Sequence, residues 1–448
     1  MSVISSTINH GIVFDNVAYT SPLTITSGGL VNAGTSAAVN AAVYVTNAST
    51  LTLINYGRIS AGGTLFGVYE AGSGLALANH GTIAASGNIA VVLNDAAVIN
   101  ALGGLISGSS GGVVANSGTI TNAGTIDASG GSSFGIKLNG NGSINNAGHV
   151  TAGEYGLVLN GTDSVTNSGT VISGRRGLQA QGDVSLNNTG MMSGSQQGIL
   201  LFAGGTISNT GQIVGQDGLG LGGGGVVTNS GTISGTYGAA VAMSTGGAIT
   251  NNAAGLIKSV GTYQGVVLYG GTIANITNSG TIIGHTGLQF FYNGVYSAAA
   301  TVTDTGTILG TGGTAIAFGT ANDTLIIAGA APRIQGVVNG GGGTNKLEFT
   351  SGASTGTLTG VNASFTNFSQ GTVNAGATWA LAGSDTFGAT TTIVNSGALV
   401  DVGVLVNAGR LTAASTALSI ASGGTLTNAT TGTVTAGGIA VTASGTVS

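Results

Sequence analysis

The chain has 448 residues, with 86 Gly, 2 Pro, no Cys, 5% charged residues and a net charge of −5. That balance excludes a disordered polar chain, collagen, a disulfide framework, thiolate chemistry and a basic nucleic-acid surface. Apolar residues reach 42%, yet they come in short runs, and no stretch approaches the ~18 consecutive apolar residues of a membrane-spanning helix.

Residues 1–50 read as an irregular start. IVFDNVAY has the pattern of a cap and SPLTITSGGLVNAG that of a first coil. The opening MSVISSTINHGIVFDN carries neither the basic nor the apolar segment of a secretory leader, so the expectation is a chain whose leader was removed, which leaves by another route, or which stays inside.

Residues 51–318 repeat one phrase, apolar-x-Asn-x-Gly-x-apolar. Its polar position is held by Asn55, Asn79, Asn100, Asn122, Asn146, Asn167, Asn188, Asn209, Asn229, Asn251, Asn278 and then Asp304, at steps of 20 to 27 residues. Each period offers three strand-like pieces, as in 156–159 GLVL, 164–166 SVT and 170–172 TVI, separated by Asn-Gly, Asn-Ser-Gly and Ser-Gly turns. One such unit leaves an apolar face wet, whereas stacked units enclose a dry shaft. The expected fold is therefore all-β, a single-stranded parallel β-helix (β-solenoid) of about 20 coils of ~20–26 residues, with neighbouring coils about 4.8 Å apart.

That stacking accounts for the phrase. An Asn amide offers both a donor and an acceptor to the Asn above and below it, so a buried column of amides satisfies itself. The Gly two positions later is expected to take the positive φ of a tight corner. Charge is scarce because equal positions in adjacent coils would set like charges beside each other.

Residues 319–392 change the phrase to ANDTLIIAGAAPRIQGVVNGGGGTNKLEFTSG and FTNFSQGTVNAGATWALAG, read as a variant segment of the same solenoid. Residues 393–448 resume the coils, with a looser Asn series at Asn395, Asn407 and Asn428. The final TASGTVS has no polar cap, which suggests a sequence cut from something longer.

The sharpest polar constellation falls at one corner. Glu154, Arg175, Gln196 and Gln216 are 21, 21 and 20 residues apart, with Tyr155, Arg176, Gln197, Asp217 and Tyr237 in the neighbouring column. Stacking brings Glu154 beside Arg175, and the set reads either as a glycan-binding row or as an exposed corner with one surface ion pair. Asp163 and Asp183, 20 residues apart, are the carboxylates that could stack for polysaccharide chemistry, with no third partner in register. GGGGTNKLE at 340–348 approaches a calcium-binding nonapeptide but puts Asn345 at its Asp position and Lys346 beside it, while 319–325 keeps Asp323 and loses the glycines. Both read as turns without calcium. Aromatics gather at Tyr263, Tyr269, Phe290, Phe291, Tyr292 and Tyr296, as a partner platform or as core filling around Phe290. Trp379 reads as buried. His10, His80, His149 and His285 are too dispersed for a metal site.

The NSGTI, NAGTI and NTGQI phrases, followed by GTANDTLII, GGGGTNKLEF and FTNFSQGTVNAGATWALAG, resemble passenger regions of bacterial autotransporter proteins over residues 20–448. The resemblance implies a right-handed parallel β-helix, exported across an outer membrane and displayed at the cell surface, often as an adhesin or haemagglutinin-like stalk. Neither a leader nor a C-terminal barrel of amphipathic strands stands in this sequence. The expectation is a non-enzymatic, extended cell-surface or secreted protein acting in adhesion or presentation, without cofactor or metal. Its partners would be cell-surface glycans or other cell-surface molecules. The alternatives are a self-associating structural fibre or surface layer and, less in keeping with the dispersed acids, a polysaccharide-active β-helix enzyme.

Overall fold

The computed structural model describes residues 1–15, 17–35, 39–46, 50–270, 274–290, 298–329, 333–352 and 354–448. Among them there are strands and turns and no helix, so no helix is long and apolar enough to cross a membrane. The chain forms two compact units, Met1–Gly223 and Gly224–Ser448, and in each the strands pair in parallel as a β-solenoid.

In the first unit a coil has three faces. Asp163–Asn167 lies on the first, Thr170–Ser173 on the second and Arg176–Ala180 on the third. Each strand pairs with its counterpart one coil on: Val165 with Leu186, Val171 with Met192, Leu178 with Ile199. Successive coils run the same way round, so equal positions meet and parallel pairing follows. Alternation then sends Val165, Val171, Leu178 and Ala180 inward, all buried. The first fifty residues already belong to this scheme: Ile12–Phe14 pairs with Ala41–Val45, and Ile12 and Phe14 fill the interior.

The Asn column stands as the repeat requires. From Asn55 through Asn79, Asn100, Asn122, Asn146, Asn167 and Asn188 to Asn209, each Nδ2 donates to the Oδ1 of the next coil's Asn at 2.7–2.8 Å. The same Nδ2 also reaches backbone carbonyls: that of Asn167 donates to Gly169 O at 3.3 Å and Met191 O at 3.2 Å. All of these amides are fully buried. In the second unit the column runs Asn229, Asn251, Asn278, Asp304 with bonds of 2.9, 2.9 and 2.7 Å.

The glycine two positions after Asn167 serves a purpose other than the expected one. Gly169 does not take a positive φ; instead a Cβ there would collide with the carbonyl oxygen of Gly148, the equivalent glycine one coil before. Close backbone approach, rather than a left-handed turn, excludes a side chain.

In residues 319–392 the first-face position continues with different chemistry. Asp304 pairs with Ile327, Ile327 with Phe349, Phe349 with Val373 and Val373 with Asn395. Farther on, the other two faces are separate sheets of five and four strands. Asn395 is followed in its column by Ala413, whereas Asn407 sits on another face, between Phe387 and Asn428. The looser Asn series is thus two columns, of which Asn407 and Asn428 form one amide bond of 2.8 Å.

Candidate functional site

The corner leading into the third face of the first unit brings Glu154, Arg175, Arg176 and Asp217 together with Tyr155, Gln196 and Gln197. Tyr155, Arg176, Gln197 and Asp217 open four successive third-face strands and lie in one register row. Glu154, Arg175 and Gln196 precede them, and backbone bonds from Arg175 N to Glu154 O and from Gln196 N to Arg175 O hold that row in line at 2.9 and 2.8 Å. The strands start there because each carries Gly at its second position. A Cβ on Gly156 would strike the Gly177 carbonyl and a methyl of Val171, so the chain can fold tightly over the second face.

The side chains interlock. Arg175 Nη1 donates to Glu154 Oε1 at 2.7 Å and to Tyr155 Oη at 2.5 Å, and its Nε donates to Gln196 Oε1 at 2.9 Å. Arg176 Nε donates to Gln197 Oε1 at 2.7 Å, another of its nitrogens donates to Gln179, and Gln197 Nε2 donates to Asp217 Oδ2 at 3.2 Å. Both guanidinium carbons lie near the Tyr155 ring, 5.5 and 5.9 Å from its centroid. The Arg175 hydrogen bond holds the Glu154 carboxyl below its usual range, burial pushes the Tyr155 hydroxyl up, and burial lowers Arg176. The Arg175–Glu154 pair keeps side-chain exposures of 37% and 25%, so solvent screens it and it adds little to stability.

Tyr237 does not join this network among the described residues: it belongs to the second unit and stands 72% exposed. Compared with protein families, with curated proteins and with solved structures, the chain matches none.

Asp163 and Asp183 are not stacked. Asp163 pairs with Val184 and is buried, whereas Asp183 is one residue out of register and exposed. Asp163 Oδ1 accepts the Gly142 amide at 2.7 Å, and burial raises its pKa. The nonapeptide-like segments are likewise occupied by backbone: Asp323 Oδ1 accepts Ala300 N at 2.7 Å, Asn345 Oδ1 accepts Asp323 N at 2.9 Å, and Lys346 pairs with Glu348 at 2.7 Å. Among the described residues no three of His, Asp and Glu gather as a metal site.

Phe290 is core, stacked on Phe318 at 5.0 Å, and Trp379 is buried with its Nε1 donating to Thr350 O at 3.0 Å. Tyr263 is 40% exposed, while Phe291, Tyr292 and Tyr296 lie outside the described residues. His80 stacks on Tyr56 at the surface, 4.7 Å between ring centres.

One row escaped the sequence reading. Asn94, Asn116, Asn139 and Asn160 form an outer amide stack at the entrance to the first face, with bonds of 2.8, 3.0 and 3.4 Å. Their steps of 22, 23 and 21 residues were the available signal, masked by the stronger inner series.

Proposed function

We propose that this protein is a non-enzymatic adhesion or presentation scaffold of the autotransporter-passenger kind, displayed at a bacterial cell surface, and that it meets glycans of another cell along the corner from Glu154 to Asp217. The observation that carries the reading is the interlocked row itself. Guanidinium forks, a tyrosine ring and amides are held in one arrangement by mutual bonds over four coils, so little side-chain freedom is left to lose when a ligand docks. Arginine forks and aromatic faces suit sugar hydroxyls and carboxylates.

The test is binding of the purified chain to a glycan array and to beads presented to cells. The Arg175→Ala/Arg176→Ala double substitution is expected to weaken glycan retention by about tenfold or more while the melting temperature holds. Retention unchanged by the double substitution overturns the assignment of the row. Concentration-dependent filaments without any glycan retention would replace adhesion by a structural fibre.

A further inference from the structure

The second unit holds a polar cavity of about 240 Å³ in the variant segment, and its lining includes Asn362, Asn367, Phe368, Ser369, Thr390 and Thr391. We infer that it is a subsite for one ring of a neutral saccharide. Three independent observations meet there.

The first is backbone conformation. Asn362 and Asn367, with φ of 67° and 62°, are the non-glycine residues with left-handed backbone among the described residues, and both line this cavity. Asn tolerates this conformation better than other residues that carry a side chain, and here both such residues fall at one cavity. The second is unspent hydrogen-bonding capacity. Asn367 Nδ2 donates to Asn339 Oδ1 at 2.8 Å, which fixes the amide and leaves its own Oδ1 free to accept. The Asn362 side-chain amide and the hydroxyls of Ser369, Thr390 and Thr391, exposed or half-buried, bond to no other side chain or backbone group among the described residues. The third is charge, because no ionisable side chain lines the cavity.

An anion or cation placed here would find no counter-charge, and Asn362, Asn367 and Thr390 stand exposed to water. An uncharged polyol needs none: its hydroxyls donate to amide oxygens and accept from amide and hydroxyl hydrogens. The half-buried Phe368, set edge to face on Phe318 at 6.2 Å, offers apolar surface for the carbon face of a pyranose. The volume lies below the roughly 300–1,000 Å³ of pockets for larger ligands, which fits a single terminal ring.

This cavity and the arginine row lie in different units and use different side chains, so either assignment can fail alone. Saturation-transfer NMR on the full chain with methyl glycosides of neutral hexoses and N-acetylhexosamines is the test. At least one glycoside is expected to be saturated, and Asn362→Gly, which tolerates the left-handed backbone, and Thr391→Val are each expected to weaken it about tenfold with unchanged melting. The Arg175→Ala/Arg176→Ala protein should bind it as well as the wild type. Saturation of no glycoside by the wild type overturns the inference; so does full retention by both cavity variants, or loss in the arginine variant alone.

Discussion

The column of Asn146, Asn167, Asn188 and Asn209 and the column of Asn229, Asn251, Asn278 and Asp304 occupy equivalent places in their units, but the first is amide throughout and the second closes on an acid. An amide both gives and takes, so each Asn hands the bond onward. A carboxylate only takes. Asp304 Oδ1 accepts from Asn278, but its Oδ2 is buried without a partner, and the next coil presents Ile327 in the same place. Burial pushes the Asp304 carboxyl up to about 6. The column can therefore close on an acid only where the coil beyond asks nothing of it. Asn55, at the other extreme, leaves its Oδ1 buried and unpaired beside the coil of Ile25. A ladder of donors has a cost at its ends rather than in its middle.

Cutting the middle is expected to have the largest effect. Asn167→Leu leaves the buried Asn188 Oδ1 without its donor, at about 1–3 kcal/mol, and reduces Asn146 Nδ2 to its longer bonds with Gly148 O and Thr170 O; denaturant titration of the purified chain measures the loss. Repairing the acid end should act in the other direction. The Asp304 pKa is raised from its ordinary 3.8 to about 6, so protonation favours the fold: the contribution is complete below pH 3.8 and is lost as pH climbs through 6. Asp304→Asn should accordingly gain about 3 kcal/mol at pH 8 and little at pH 3. Asp323, raised to about 6 for the same reason, leaves a residual slope of the same sign in that variant. Equal stabilities of wild type and Asp304→Asn across this range would show that the buried acid is not strained.

Gly169→Ala, which forces a methyl against the Gly148 carbonyl, should cost about 1–3 kcal/mol by thermal melting; an equal cost at Gly131, where a Cβ meets nothing, would refute the close-approach account. The smallest effect is expected from Arg175→Ala, a melting temperature close to that of the wild type, since the pair lies at the surface where water screens it.

The inner ladder was legible because its Asn recurs once per coil in one context, and context plus spacing fixes a column. The Glu154–Arg175 contact followed from the same spacing of 21 residues. Other features turned on what spacing does not encode. A one-residue offset separates stacked from unstacked, and the Asp163–Asp183 interval of 20 falls one short of the 21 that joins Asp163 to Val184. Asn395 and Asn407 look like one series, yet a three-faced coil can place two asparagines on different faces of the same turn. The role of Gly169 was hidden because a missing side chain reads alike whether φ or a neighbouring carbonyl demands it. Asn362 and Asn367 belong to a segment without the repeat, so nothing in their spacing joins them.

The strands meet Asn to Asn whether a step spans 21 residues, as from Asn146 to Asn167, or 27, as from Asn251 to Asn278. Surplus residues are expelled into the corners, and the pairing pattern is indifferent to them. Duplication or loss of one whole rung at the level of the gene would leave every remaining rung with a partner of the kind it had before, whereas a one-residue slip inside a strand would turn its interior outward. Reach, in such a chain, is a property that copying errors can lengthen or shorten without redesigning the interior.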